Sequence, residues 1–445
     1  MLEVVPLKKR TYRTIPIQQV AGPVLAAELG ERCIVALDVA KTKMVVGFAK
    51  ASGECVRLVR FEHPVETPLF LLLLKLLLEL RVALDFALEP TGVYGDALRH
   101  QVASIGVPVH RVDAKKVHDA AELLDGVPSS HDAKACTLIA HLHAHGLSRP
   151  WVERDEFARA LRNLVDERDL FTDPFERARG RLEAVVARHW PELGMEMEPD
   201  VAWPLRLLSE LPSPVDAAAD PTRTAELLTR ATRGALRKER IERVVSGAKQ
   251  SLGTPMGEGE RDYVRVLALH MLDLREKTRL VDHRIAAALS KSTPVTKLVE
   301  TFGAVTTAVV LAHVGNPATY SSADAFEKAL GLNLKIHQSG DYDGIGSLHI
   351  TKRGPARVRQ YLYLAALRFI FKNDIARRWY QARAAYRSER KMKAVVALMR
   401  KLARAMVHVA RGDAFDATKL FDVRRLAPSA SNAPRELSTD LPAVV

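Results

Sequence analysis

The sequence predicts an α/β domain at the front of the chain, a charged helical middle and a mostly α-helical rear. Three observations carry this. The runs CIVALDVA, KMVVGFAK and ECVRLVRF follow one another from Cys33 to about Arg60, with the length and β-branched bias of consecutive strands. Strand signals vanish from Trp151 to about Ser292, where apolar residues recur at helical spacing with charges between them. From about Pro355 to Arg411 a third helical stretch is dense in Arg and Lys.

Taken in order, residues 1–30 carry Lys8, Lys9, Arg10 and Arg13 with no compact apolar core and cleavage site behind them. They read as a basic arm rather than a signal peptide. KASGE between the second and third strands is a hairpin turn. The Leu-rich run from Pro68 to Leu80 is well short of the roughly 20 apolar residues a spanning helix needs, and Lys75 interrupts it. It reads as a helix buried against the sheet. The strand-like ALDFALE follows, then a helix from about Val93, the short strand VPVHRV, and helices to about His145. Three strands and then alternating helix and strand is the order of an RNase H-like domain, assigned to 31–148. In 149–292, Pro191, Pro204, Pro212, Pro214 and Pro221 divide separate helices. This region is a helical or coiled-coil linker that spaces or dimerises its neighbours, or an ordinary bundle. A unit over 293–422 opens with FGAVTTAVVLAHVGN, two short helices around a glycine turn. The Ala-, Pro- and Ser-rich 423–445 reads as a disordered tail.

A chain of 445 residues has material for two or three domains, and 47% apolar content with mixed charge excludes a disordered protein. The net charge of +13 favours a polyanionic partner, although membrane surfaces and anionic proteins attract the same charge. Cys33, Cys55 and Cys136 form no CxxC pair, so the cysteines support neither a zinc site nor a disulfide framework. A reducing cytoplasm fits them.

Three distant stretches supply a candidate site. Asp38 stands where IVALD meets the polar AKTK, and Glu89 ends a second apolar run before Pro-Thr-Gly. Each can hold a hard cation such as Mg2+, which takes oxygen ligands. Each can equally be a turn or strand-end carboxylate. Asp132, in SSHDAKAC at a predicted helix start, reads alone as an N-cap. On an RNase H-like sheet the three could converge on metal ions. Ser339, in the glycine-rich IHQSGDYDG, has the local backbone freedom and the nearby cations that a serine nucleophile for phosphate needs. The bland reading is a Gly/Ser turn. Beyond it Lys352, Arg353, Arg357, Arg359, Arg377, Arg378, Lys391 and Lys393 belong to a cationic run with few acids. Ordinary solvated helix faces mix signs, so this bias favours phosphate contact. Tyr361, Tyr363, Trp379, Tyr380 and Tyr386 interleave with it; some could stack on bases, and most belong in a core.

At these motifs the chain resembles the insertion sequence 110 family of transposases, also called DEDD transposases. IVALDVAK and LEPTGVY resemble the family's first two acidic motifs, and HWPEL and LPSPVD in the middle look familial. ALGLNLKIHQSGDYDGIGSLHITKRGPARVRQYLYLAAL resembles its C-terminal signature. The resemblance implies a RuvC-like nuclease domain with a Mg2+-dependent acidic tetrad, a helical linker, and a C-terminal domain with a nucleophilic serine. By carry-over Asp38, Glu89 and Asp132 hold metal, and Ser339 attacks DNA phosphate to give a phosphoserine intermediate. It also implies a homo-oligomer, dimer or tetramer, with composite sites; a noncoding bridge RNA that selects the DNA; a bacterial, nucleoid-associated protein; and no membrane partner.

One motif departs from the family. The third acidic motif there is Asp-x-x-Asp-Ala, and this chain reads Asp132-Ala133-Lys134-Ala135-Cys136. In one register Ala135 replaces the fourth acid. In the other, Asp132-Ala133 is the closing pair and Ser129 replaces the third. The flanking Ile139-Ala140 fits the first register better. A methyl cannot coordinate a cation, so one anionic ligand is missing unless His131 or Asp125 compensates. Val305 also stands where the family often has glycine. Three readings follow: an RNA-guided recombinase using Ser339, a decayed or repurposed nucleic-acid binder, and a metal-only junction nuclease that would not need Ser339.

Overall fold

The computed structural model describes residues 12–90, 92–128, 131–198, 201–290, 293–335, 349–384 and 388–422. Two compact units divide the chain, 1–153 and 154–445.

The first unit runs β1 (Thr14–Pro16), α1 (Gly22–Leu29), β2 (Arg32–Asp38), β3 (Lys43–Lys50), β4 (Cys55–Glu62), α2 (Thr67–Glu79), β5 (Ala83–Leu88), α3 (Asp96–Ser104), β6 (Val109–Val112), α4 (Ala114–Asp119), α5 (Asp132–Ala144) and β7 (Ser148–Pro150). Its sheet has the order β1-β4-β3-β2-β5-β6-β7. The β2–β3 and β3–β4 pairs are antiparallel, whereas β2–β5 and β5–β6 are parallel. That mixed sheet, β4-β3-β2-β5-β6 at its centre with helices on both faces, is the RNase H-like arrangement expected from the strand order.

Side chains alternate across the pleat, and each face has its own core. Cys33, Val35 and Leu37 of β2 point with Phe48 and Phe86 toward Phe70, Leu74 and Leu77 of α2 and Leu98 of α3. Ile34 and Ala36 point the other way with Ala49 and Ala87, against Ala135, Leu138, Ile139 and Ala140 of α5. Burial on both faces explains why these strands read as continuous apolar runs. Alanines on the α5 side let that helix lie close to the sheet. The Leu-rich run is α2, buried as expected, and among the described residues no helix is long and apolar enough to cross a membrane.

The expected basic arm gives way to structure from Thr14 onward. β1 pairs with β4, and Ile17, Leu25 and Leu29 bury in the same core as α2. Each of these segments is too short for its periodicity to stand out in the sequence.

The second unit is helical: α6 (Glu156–His189), α7 (Pro191–Glu196), α8 (Trp203–Glu210), α9 (Pro214–Ala219), α10 (Pro221–Thr232), α11 (Lys238–Lys249), α12 (Glu258–Leu289), α13 (Thr293–Phe302), α14 (Ala304–Val314), α15 (Ala323–Ala329), the short pair β8 (Leu334–Lys335) and β9 (His349–Ile350), α16 (Ala356–Lys372), α17 (Asp374–Ala384) and α18 (Ser388–Ala410). Pro191, Pro204, Pro214 and Pro221 each stand at the first or second position of a helix, where the missing N–H costs nothing. Long α6 and α12 run antiparallel and carry a core at each end. Leu161 and Val165 share one core with Val281 and Ile285 and with α13–α18, while Leu182 and Val186 share the other with Val264 and Ala268. The regions divided at 292 by sequence therefore share a core. Gly303, at φ 85°, makes the expected turn between α13 and α14.

The TKRG segment is locked by close backbone approach. Lys352 N–H donates to the Gly331 carbonyl at 2.9 Å, and Thr351 N–H to that of Asn333 at 2.9 Å. A Cβ on Gly354 would stand 2.4 Å from the Ala329 carbonyl oxygen. Gly354→Ala is therefore expected to destabilise the second unit by about 1–3 kcal/mol, read as a lower urea midpoint at unchanged slope.

Candidate active site

Asp38 and Glu89 leave neighbouring parallel strands side by side. Leu37 pairs with Leu88, so the next residue on each strand is a carboxylate, with roughly 4.8 Å between the strands. Pro90 has no N–H to continue the ladder, which frees the chain at Glu89. Asp132 is the first residue of α5, and the helix packs across β2 and β3 directly behind these ends. Cys136, one turn on, is buried and donates its S–H to the Val45 carbonyl at 3.1 Å, fixing α5 to β3. The strand ends and the helix start thus bring Asp132 and Glu89 within electrostatic reach of Asp38, although their oxygens do not all lie within 4.8 Å of one another.

Their electrostatics follow from that placement. Burial, then the charges of Asp132 and Glu89, pushes the Asp38 carboxyl up to about 7. Glu89 is raised as well, by burial and by Asp113. Asp113 is an acid that the sequence reading missed. It follows β6, caps α4 by accepting from Lys115 N–H at 2.9 Å, and puts a fourth carboxylate on the same sheet edge. Its signal was present, because it ends VPVHRV as Asp38 and Glu89 end their own runs. Carboxylates gathered in this way fit a hard divalent ion, since all the donors are oxygen. A groove of about 600 Å³ opens beside Asp132, lined among others by Tyr12, Lys43, Arg60 and His131.

Neither compensating residue named from sequence is free. His131 Nδ1 accepts from Lys134 N–H at 3.2 Å as the cap of α5. Asp125 is bound to the buried Lys134 ammonium at 2.7 Å and also accepts from Val127 N–H and Tyr12 O–H. The pairing holds Asp125 below the usual carboxylate range. Ala135 is buried among Ile34, Ala36 and Ala87. Ser129 and Ser339 lie outside the described residues.

Residues 35–191 match the DEDD insertion sequence 110 family model described as Transposase, and residues 297–381 match the one described as Transposase IS116/IS110/IS902 family. Together the matches cover more than half of the chain. The chain belongs to the insertion sequence 110 transposase family. No curated protein is significantly similar to it. As a transposase it acts on DNA, and the acidic edge lies within the matched DEDD region.

The cations expected to meet DNA divide into two kinds. Lys352, Arg353 and Lys393 are exposed. Arg357 is held by Asp169 and Asp173, and Arg359 donates to the carbonyls of Leu330 and Gly354. Arg377 binds Asp374 at 2.8 Å, and Arg378 and Lys391 also interact within the protein. Arg357 is the clearest departure from the sequence reading, because its acids lie almost 190 residues upstream on α6. Arg168 completes this tie, bonding Asp282 at 2.6 Å and the Tyr361 hydroxyl at 2.7 Å. Tyr361 and Trp379 are core residues, not stacking platforms.

Proposed function

We propose that this transposase cuts and rejoins DNA through Ser339, assisted by Mg2+ held at Asp38, Glu89 and Asp132. The observation that carries the reading is that Asp132 at the start of α5 and Glu89 just past β5 lie close enough to the half-buried Asp38 at the end of β2 to add, after burial, to the lift that takes its carboxyl to about 7. A divalent ion bound there supplies positive charge that polarises a phosphoryl oxygen. Ser339 Oγ attacks phosphorus, its proton leaves to a base, and one DNA ester oxygen departs as a hydroxyl. The phosphoserine ester keeps the bond available for rejoining.

Burial of Ala135 in the apolar layer supports the register in which Asp132-Ala133 closes the motif and Ser129 holds the missing acid's place. Asp113 is the acid placed to restore part of that charge. A bridge RNA that selects DNA by pairing, and a dimer or tetramer that builds composite sites, belong to the same reading. The incomplete tetrad favours one alternative, a relative that binds nucleic acid without cutting it.

The test is a covalent adduct. Purified protein is incubated with DNA carrying the element ends, together with the element's RNA, and resolved under denaturing conditions. A DNA-linked band that needs Mg2+ and Ser339 supports the proposal; DNA binding without that band supports the non-cutting relative. Nucleic-acid affinity is also expected to fall steeply with salt. Lys352→Ala, Arg353→Ala and Lys393→Ala should each lower the magnitude of the salt slope by about one. Arg357→Ala should instead lower thermal stability, because it leaves Asp169 and Asp173 unpaired.

A further inference from the structure

A second cluster of metal-ligating side chains lies on the sheet face that α5 covers, away from the acidic edge. Asp85 of β5, His110 of β6 and His143 of α5 each offer one ligand atom, and these atoms all lie within 4.8 Å of one another. The strand register pairs Ala87 with His110, so Asp85, two residues before Ala87, shares that face. His143 falls in the last turn of α5, eleven residues after Asp132, about 16 Å along the helix. We propose that Asp85, His110 and His143 bind one zinc-class transition-metal ion that clamps the end of α5 to the sheet.

The donor set argues for that class of ion. Two imidazole nitrogens and one carboxylate oxygen suit Zn2+ or Co2+, whereas Mg2+ asks for oxygen. Around a tetrahedral ion at roughly 2.0–2.2 Å the donors lie about 3.3 Å apart. His110 Nε2 already stands 3.5 Å from Asp85 Oδ1, and the His110 and His143 rings meet edge to face at 4.6 Å. The remaining closure is small side-chain rotation.

The cluster also has supporting partners on its far sides. Arg32 donates to Asp85 Oδ2 at 2.7 and 2.8 Å, which leaves Oδ1 facing His110. His143 Nδ1 shares a 2.8 Å hydrogen bond with Ser148 Oγ on β7. When Nδ1–H donates there, the Nε2 lone pair is the free one. Such outer partners fix the orientation and tautomer of a ligand. The Asp85 and His110 side chains are 12% and 21% exposed, shielded yet reachable by an ion. This site does not depend on strand-transfer chemistry and goes beyond it.

The experiment is a Co2+ titration of the metal-stripped full-length protein in excess Mg2+, followed by visible absorption and thermal melting. One equivalent of Co2+ per chain should develop ligand-field bands, and one equivalent of Zn2+ should displace it and raise the melting temperature by several degrees. Asp38→Asn should leave the bands unchanged. His110→Gln and His143→Gln should weaken Co2+ by at least about 100-fold, and Ser148→Ala, a supporting partner, by about 10-fold or more. Wild type with neither bands nor a Zn2+ melting shift would overturn the proposal. So would bands that survive in both glutamine variants or disappear in Asp38→Asn.

Discussion

Asp38→Asn is expected to lower strand transfer by about 100- to 1,000-fold while making the metal-free protein more stable above pH 7. The first effect follows if Asp38 holds the proposed ion, whose charge stabilisation would be worth several kcal/mol. The second follows from linkage. Asp38 is lifted from an ordinary value of 3.8 to about 7 by burial and by Asp132 and Glu89. Its contribution to stability is present in full below about pH 4 and is lost as pH rises through about 7, because the folded state then carries a penalised charge. Asparagine carries no such charge. Wild type and variant should melt alike near pH 4 and diverge by about 1–2 kcal/mol at pH 8, after solvent screening of a partly exposed group. Added Mg2+ should restore wild type at pH 8 and leave the variant nearly unchanged. Melts at the two pH values, with and without Mg2+, read all of this. A variant less stable than wild type at pH 8 without metal would contradict the electrostatic account.

Ser339→Ala is expected to remove the covalent DNA adduct and to reduce recombination by at least about 10,000-fold, the scale on which losing a nucleophile acts. Affinity for DNA and RNA should change by no more than about threefold. One neutral hydroxyl contributes about 0.5–1.5 kcal/mol at most, whereas several phosphate contacts set the affinity. Gel-shift titration beside adduct formation separates the two. Recombination surviving in Ser339→Ala would remove the serine from the chemistry.

The sheet and its acids were legible because their signals are local. The three β-branched runs and ALDFALE are strands, the first ending on Asp38 and the last leading into Glu89, and a strand end needs no distant residue to define it. Asp113 escaped because VPVHRV is short and its acid doubles as a helix cap. Arg357 and Arg359 were read as DNA contacts because sequence shows charge and not partners. Asp169 and Asp173 lie on α6, far upstream. The Asp85–His110–His143 cluster was illegible for the same reason. Its members come from two strands and a helix, with no ligand spacing along the chain. Nothing in the sequence signals that the Lys134 side chain is fully buried on Asp125.

On the proposed mechanism, an acidic edge with one family ligand replaced still drives recombination. The most direct measurement is excision of the element from a plasmid carrying the gene with its native flanks, read by amplifying circular junctions from cells. Wild type should yield junctions, and Asp38→Asn and Ser339→Ala should yield none. Silence from wild type, or junctions from Asp38→Asn at the wild-type level, would contradict the account.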